Sequence, residues 1–214
     1  QEAGELADSL AQPVSVSAHA DSDAVAATRM SPHALSLALW IGALVVVSGL
    51  GIMSRRHVEA AMTPARLAIT SLRPALGLAV VQATLLTGAL ALAGARFGNM
   101  WAVGGLVLLG AVAMTVLHAA LMAAFGARGT SAVSLLALVA QAAWVLSVNA
   151  PGGMAGALPV TVLDSALGGI MLGTAGGGGW SAAVVLCLWA AASTLTFLIL
   201  RLGAQDTPAT PWAG

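Results

Sequence analysis

Three polar side chains lie inside otherwise apolar stretches, where a polar group either has a function or is held by a neighbour. They are Gln82 (VVQATLL), His118 (AMTVLHAALM) and Gln141 (ALVAQAAW). If these stretches cross a membrane, an ionisable residue within them is a candidate for function, and we hypothesise that the three side chains line one polar seam. A proton relay through His118 would need a carboxylate at the same depth, and the stretches contain none. The alternative is that each side chain hydrogen-bonds to a neighbouring helix, an interaction worth about 0.6 to 2 kcal/mol.

A fourth candidate is Asp164, the only charge in a short amphipathic stretch. In LPVTVLDSALGGIML (158–172), apolar side chains recur every three or four positions, at Val160, Leu163, Leu167 and Ile170 or Met171. This spacing places them on one face and predicts a short helix that lies along the outer membrane interface. The Asp164 carboxylate either is solvated or caps a helix, or it contacts a partner or a substrate head group.

Recognisable catalytic and metal-binding patterns are missing from the sequence. A chain without lysine cannot form a GxxxxGK[ST] phosphate loop, and the glycine-rich GTAGGGGW (173–180) is predicted to be a connector. The four histidines lack the spacing of a metal motif such as HExxH. The single cysteine, Cys187, excludes an internal disulfide and is expected to be buried and inert. We therefore expect no enzymatic activity, no cofactor and no metal site.

The composition shows what kind of elements must position these residues. Of 214 residues, 59% are hydrophobic and only 7% are charged, whereas a soluble domain carries roughly a quarter charged residues. Most of the surface must therefore face lipid. A formal net charge of zero leaves no basic surface for nucleic acid, so nucleic acid is not an expected partner.

Five apolar stretches have about the length of 20 residues that is needed to cross a bilayer, and their interiors are free of charged residues. They are continuous and do not alternate, which favours helices over a barrel. The predicted fold class is all-α, a polytopic bundle of five transmembrane helices with the short amphipathic interfacial helix in the outer loop before the last one. The stretches are Leu35 to Met53, Pro74 to Ala93, Trp101 to Phe125, Ser131 to Val148 and Trp180 to Leu202.

The positions of the charges predict the orientation of the bundle. If the stretches alternate in direction, six of the eight arginines fall on one side, and the positive-inside rule assigns that side to the cytoplasm. The chain start and most of the acidic residues are then extracytoplasmic, and the chain end is cytoplasmic. The six arginines are Arg55, Arg56, Arg66, Arg73, Arg128 and Arg201.

The domain organisation follows from these assignments. Residues 1–30 are predicted to form an extracytoplasmic linker, residues 31–203 the transmembrane helical domain, and residues 204–214 a cytoplasmic tail. The linker lacks the charged start and apolar stretch of a signal peptide. We therefore expect a targeting or transmembrane segment upstream of Gln1, and we expect the cell membrane to be the location.

The order of several motifs resembles the carboxy-terminal membrane region of the YhgE/Pip family, the phage infection proteins. The matching positions are Pro13 and Val14, Leu39 to Ala43 within SPHALSLALWIGALVVV, Phe125 to Gly129 within FGARGTSAVSLLALVAQAA, Gln141, and Leu158 to Ala166 within LPVTVLDSALGGI. Members of this family resemble the membrane subunits of type-two ABC exporters. The resemblance covers the chain from about Ala11 to Leu202, and it implies an amino-terminal transmembrane helix and a large extracytoplasmic region before this bundle.

The function implied by this resemblance is that of a multi-pass membrane subunit of an export or secretion-related envelope system, permease-like and without an ATPase of its own. Assembly with itself or with other membrane proteins is expected, in addition to contact with the lipid bilayer. The alternative is a structural or scaffold subunit of a larger membrane complex, or a phage receptor, without a transport path. The absence of charge from the interiors of the five stretches agrees with this alternative.

Overall fold

The chain folds into helices in every part that the structure describes. The computed structural model describes residues 18–54, 64–95, 97–146, 158–171 and 178–203. These residues form α1 (Ala18–Ser54), α2 (Pro64–Leu92), α3 (Met100–Leu146), α4 (Pro159–Met171) and α5 (Gly178–Gly203). The described ranges contain no strand, so the all-α prediction is confirmed.

Four of the helices are long and apolar enough to cross a membrane. Their candidate spans are Pro32–Leu50 in α1, Ile69–Leu92 in α2, Met100–Gln141 in α3 and Gly179–Leu200 in α5. The span in α3 has 42 residues, about twice the length that a bilayer requires. It contains both the third and the fourth predicted stretch.

Helix α3 is a helical hairpin that reverses at Gly126. This glycine has φ 67° and ψ −176°, a backbone conformation that glycine adopts without the steric cost of a Cβ. His118 Nε2 lies 3.0 Å from Ser134 Oγ, although residues 16 apart on a straight helix would be separated by about 24 Å. The two arms, 100–125 and 127–146, therefore run antiparallel. They correspond to two of the five predicted transmembrane helices.

The buried core lies where α3 packs against α1, α4 and α5. Leu39 of α1, Val107 of the first arm of α3, Leu167 of α4 and Leu186 of α5 are all fully buried in one cluster. Small residues such as Ala and Gly at the contacts let helices approach closely in a membrane. Cys187 of α5 is exposed, so the expectation of a buried thiol was wrong; it follows the buried Leu186 and points about 100° away from it around the helix.

Helix α4 confirms the amphipathic helix predicted before the last span. Its buried residues include Val160, Leu163, Leu167 and Met171, the spacing read from the sequence. It packs against α1, α3 and α5, so three helices cover its apolar face. Its place relative to a membrane interface stays a prediction.

Two of the predicted domains lie partly or wholly outside the described residues. Helix α1 begins at Ala18, so helical structure extends into the segment 1–30 that was predicted as a linker, and residues 1–17 lie outside the described ranges. The predicted tail 204–214 also lies outside them.

Candidate functional site

His118 is fully buried at a point where α1 and the two arms of α3 meet. Its Nδ1 lies 2.7 Å from the Met114 carbonyl oxygen, and its Nε2 lies 3.0 Å from Ser134 Oγ. The indole Nε1 of Trp40 donates to the same Ser134 Oγ at 2.8 Å. The Trp40 and His118 rings also contact each other edge to face, with centroids 4.7 Å apart. We call these three side chains, Trp40, His118 and Ser134, the polar lock.

The partners of the polar lock determine where its hydrogens lie. A carbonyl oxygen only accepts, so the Nδ1 of His118 carries a hydrogen and donates it to Met114. In the neutral ring Nε2 is then an acceptor, which takes the hydroxyl hydrogen of Ser134. Ser134 Oγ in turn accepts from the Trp40 indole. Every polar atom of the three side chains has a partner with the histidine neutral.

This arrangement fixes helices and offers no free group for chemistry. The lock joins α1 to both arms of α3, and it contains no carboxylate that could receive a proton from the ring. A protonated ring would donate from Nε2, and the Ser134 hydroxyl would then need a new acceptor. The geometry therefore matches the alternative reading of His118, a neutral histidine bonded to a neighbouring helix.

Gln82, the second member of the predicted seam, lies on another side of α1. Its Nε2 donates to the Ala38 carbonyl oxygen at 2.8 Å, and its carboxamide occupies the space that a Cβ on Gly42 would take. Ala38 and Trp40 are two residues apart, which turns them about 200° around the helix. Gln82 is thus bonded to the side of α1 that faces away from the polar lock, and none of its described hydrogen bonds joins the two.

Gln141, the third member, lies on the same face of the second α3 arm as Ser134. The two are seven residues apart, close to two full helical turns. Only 4% of Gln141 is exposed, and neither its Oε1 nor its Nε2 has a hydrogen-bond partner. A buried polar atom without a partner costs about 1 to 3 kcal/mol. Gln141 is therefore a buried carboxamide whose polar atoms are unsatisfied.

Asp164 of α4 pairs with a histidine that the sequence analysis did not single out for a role. Its Oδ2 lies 2.7 Å from His33 Nδ1 in α1. Its Oδ1 is buried and has no hydrogen-bond partner. Burial raises the pKa of the Asp164 carboxyl, and the neighbouring His33 opposes that shift. One oxygen of this carboxylate is thus occupied and the other is not.

The helix register places Asp164 and Gln141 at the same level of the bundle. Asp164 meets His33 of α1, and the adjacent Leu163 meets Gly110 of the first α3 arm. A second contact, between Trp40 and His118, joins α1 directly to the same arm. From the α4 contact to this one, α1 advances seven residues and the arm advances eight, so the two helices run parallel.

The second arm runs antiparallel to α1 and returns to that level. It meets Trp40 at Ser134, and seven residues beyond Ser134 is Gln141. His33 lies seven residues before Trp40. Seven residues span about 10 Å along a helix and complete almost two turns, so the first and last residue share a face. His33, Asp164 and Gln141 therefore lie about two turns from the polar lock, towards α4. We call these three residues the α4-level group.

Trp40, Ser134 and His33 were not predicted from the sequence as partners of the candidate residues. The only available signal was the seven-residue spacing, shared by His33 with Trp40 and by Ser134 with Gln141. That spacing becomes informative only when the hairpin at Gly126 brings the second arm back along α1.

The described residues include no group of three or more His, Cys, Asp or Glu side chains that could hold a metal ion. The structure therefore offers a hydrogen-bonded lock and an incompletely satisfied polar group as its candidate sites. No family model matches the chain, and neither a curated protein nor a solved structure matches it.

Proposed function

We propose that this chain is a multi-pass membrane subunit of an export or secretion-related envelope system, which acts by assembling with itself or with other membrane proteins. Its long apolar helices make it a membrane protein by length and composition. The export or secretion role is supported by the motif order that resembles the YhgE/Pip family.

The places of those motifs in the fold support the use of the resemblance. Leu39 and Ala43 of the first motif are buried in the core. The FGARG motif forms the reversal of the hairpin, with the positive φ of Gly126. The LPVTVLDSA motif begins α4, whose buried residues include Pro159 and Leu163. The matched residues of these three motifs thus lie at a turn and at helix contacts, while Pro13 and Val14 lie outside the described residues.

The observation that carries this proposal is the completeness of the polar lock, which argues against a conduit through this chain alone. A conduit through this chain would need polar groups free to meet a solute, and all polar atoms of Trp40, Ser134 and His118 are bonded within the protein. Gln82 is bonded to the Ala38 carbonyl, on another side of α1. These contacts favour the second candidate, a scaffold subunit, over a transport path inside this bundle.

Photocrosslinking in the native membrane tests the assembly role. A photoreactive residue at Leu85, which lies 67% exposed on α2, should capture a membrane partner or a second copy. The matched control is Ala83, which is buried on the same helix and should capture only this chain. If neither position yields an intermolecular product and the purified protein is a monomer, the assembly role is excluded.

A second experiment separates export from a scaffold role. Deletion of the gene should change the secreted proteins or the envelope lipids if the system exports, and leave them unchanged if it does not. In a Cys187→Ser background, single cysteines at positions 82, 118 and 141 would be treated with a water-soluble maleimide. Labelling at all three would show a continuous aqueous path and would sink the scaffold role.

A further inference from the structure

We propose that the exposed face of α2 that carries Arg66 and Arg73 binds the phosphate of an anionic phospholipid. Both side chains are exposed, and we call them the α2 arginine pair. They are seven residues apart, so they lie on the same face of the helix, about two turns from each other. The proposal concerns the contact of one helix with the bilayer, so it does not depend on an export or secretion role.

The first argument is that Arg73 lies on an apolar, exposed face of a membrane-spanning helix. Ile69, four residues before it, is 67% exposed, and Val80, seven residues after it, is 45% exposed. Residues at these spacings share one side of a helix. Arg73 also lies inside the candidate span Ile69–Leu92, about 6 Å from its start. This face of α2 therefore meets lipid when the helix crosses a bilayer.

The second argument is the level of Arg73 in the bundle, which the neighbouring Leu72 determines. Leu72 packs against a buried cluster that contains Val47 of α1 and Ala120 of the first α3 arm. Ala120 comes six residues before Gly126, where the hairpin reverses. Arg73 therefore lies near the end of the bundle that contains this reversal.

The Arg73 side chain leans towards the same end. Helix α2 runs from there towards the middle of the bundle, because Gln82 bonds to Ala38, which lies nine residues before Val47 on α1. Side chains leave a helix tilted towards its amino terminus. A long cationic side chain with this lean brings its guanidinium to the head groups of the nearer leaflet while its methylene groups stay in lipid.

The third argument is that no described side chain neutralises this charge. The only Asp or Glu among the described side chains is Asp164, which pairs with His33. His33 precedes Val47 on α1 by about 21 Å, so this carboxylate lies at the other end of the bundle. Arg128, two residues after the reversal, is also exposed and adds positive charge at the end where Arg73 lies.

A phospholipid phosphate is the partner that fits a guanidinium in this place. Arginine can bind phosphate oxygens through two parallel N–H···O bonds, and such charge-assisted bonds are roughly twice as strong as neutral ones. Phosphatidylglycerol carries its negative charge without a cation of its own, whereas the choline of phosphatidylcholine neutralises the phosphate. Each basic residue near an anionic membrane surface strengthens attraction about five-fold. The α2 arginine pair should therefore prefer an anionic lipid.

Native mass spectrometry of the full chain in detergent tests this preference by measuring the Kd of the first bound lipid. One series titrates phosphatidylglycerol, and a second titrates phosphatidylcholine with the same acyl chains. Phosphatidylglycerol should bind about 25-fold more tightly, the product of two five-fold contributions. A third series adds inorganic phosphate, which should displace no more phosphatidylglycerol than chloride at the same ionic strength.

Substitutions test whether the α2 arginine pair carries the preference. Arg66→Gln and Arg73→Gln should each weaken phosphatidylglycerol binding about five-fold and leave phosphatidylcholine binding unchanged. Arg73→Lys keeps the charge but loses the two parallel bonds, so its Kd should be intermediate. Arg128→Gln is the matched control, because it removes the same charge at the same end of the bundle from another helix, and it should keep the preference.

Three outcomes would overturn the proposal. Equal Kd values of the wild type for the two lipids would exclude an anionic lipid site. A loss in Arg128→Gln as large as that in Arg73→Gln would show diffuse attraction to surface charge. Displacement by inorganic phosphate beyond the chloride control would identify a soluble anion as the ligand. Circular dichroism checks the folding of each variant, and if one of the two glutamine variants of the pair does not fold, the other decides.

Discussion

Replacing Ser134 with alanine is expected to destabilise the bundle more than any other single change in the polar lock. The substitution removes one hydroxyl and leaves two buried partners unsatisfied, the Trp40 Nε1–H donor and the His118 Nε2 acceptor. Each unsatisfied group costs about 1 to 3 kcal/mol. The expected loss of unfolding free energy is therefore about 2 to 6 kcal/mol.

The other two residues of the lock should be less sensitive, for a reason that follows from the hydrogen directions. Trp40→Phe removes a donor from Ser134 Oγ, which keeps its own bond to His118, so the cost is that of one lost bond, about 0.5 to 1.5 kcal/mol. His118→Leu leaves the Ser134 hydroxyl free to bond to the carbonyl four residues earlier, as serines in helices commonly do. Ser134→Ala should be the most damaging of the three.

The measurement is unfolding of the purified protein in mixed micelles by added sodium dodecyl sulfate. Unfolding is followed by far-ultraviolet circular dichroism, because two of the variants lack Trp40. The triple variant Trp40→Phe, Ser134→Ala, His118→Leu should recover much of the loss, since removing both partners of a buried bond can be nearly neutral. Ser131→Ala is the control, because its hydroxyl bonds only to the Ala127 carbonyl on the exposed side.

A small effect would refute this account of the lock. Interhelical hydrogen bonds in membranes average about 0.6 kcal/mol when the unfolded state also finds partners. If Ser134→Ala costs no more than about 1 kcal/mol, or no more than Trp40→Phe, then water or another group satisfies Trp40 and His118. His118 would then be open to solutes, and the argument against a conduit in this bundle would fail.

Three further predictions concern other contacts. Gly42→Ala should cost about 1 to 3 kcal/mol because its Cβ overlaps the Gln82 carboxamide; Gln82→Ala in the same chain should restore stability, and Gly77→Ala, with open space around it, should not destabilise. Gly126→Ala should cost about 1 to 3 kcal/mol, since φ 67° with ψ −176° is a backbone conformation open essentially only to glycine, and an unchanged denaturation midpoint would exclude the reversal seen in α3. Burial raises the pKa of Asp164 above 3.8, so the folded chain binds this proton more tightly than the unfolded chain. Stability should therefore rise as the pH falls through the folded-state value towards 3.8, a gain that Asp164→Asn should abolish in a pH series of unfolding curves.

The helices themselves were predictable from the sequence because lipid imposes length and continuity on them. The stretch predicted from Pro74 to Ala93 matches the second part of α2 to within one residue, since α2 ends at Leu92, and the amphipathic spacing of α4 reappears as its buried face. Both predictions depend on local composition alone. A continuous apolar segment inside a bilayer must be helical, because its backbone groups have to bond to each other. The spacing of apolar side chains along an amphipathic helix then determines which face is buried.

The candidate site was less predictable because it depends on which helices become neighbours. The sequence singled out Gln82, His118 and Gln141 by their polarity and grouped them as one hypothetical seam. The polarity of Gln82 does not predict the side of α1 to which it bonds. Apolar helices rich in Ala and Leu also show little preference for packing against one particular helix rather than another. The partners Trp40 and Ser134 look like ordinary residues of apolar helices until the reversal at Gly126 sets the register.

The two polar levels of the bundle differ in how completely their polar atoms are bonded. At the polar lock, each donor meets an acceptor within the protein, which fixes three helical segments and leaves nothing to bind. At the α4-level group, Gln141 retains a carboxamide where a leucine or methionine would fill similar space without an unsatisfied atom. The fold alone gives no reason for that side chain, since its two polar atoms bond to nothing in the chain. Of the three side chains of the hypothesised seam, Gln141 is therefore the one that the described contacts leave unsatisfied, at a cost to the folded chain of about 1 to 3 kcal/mol.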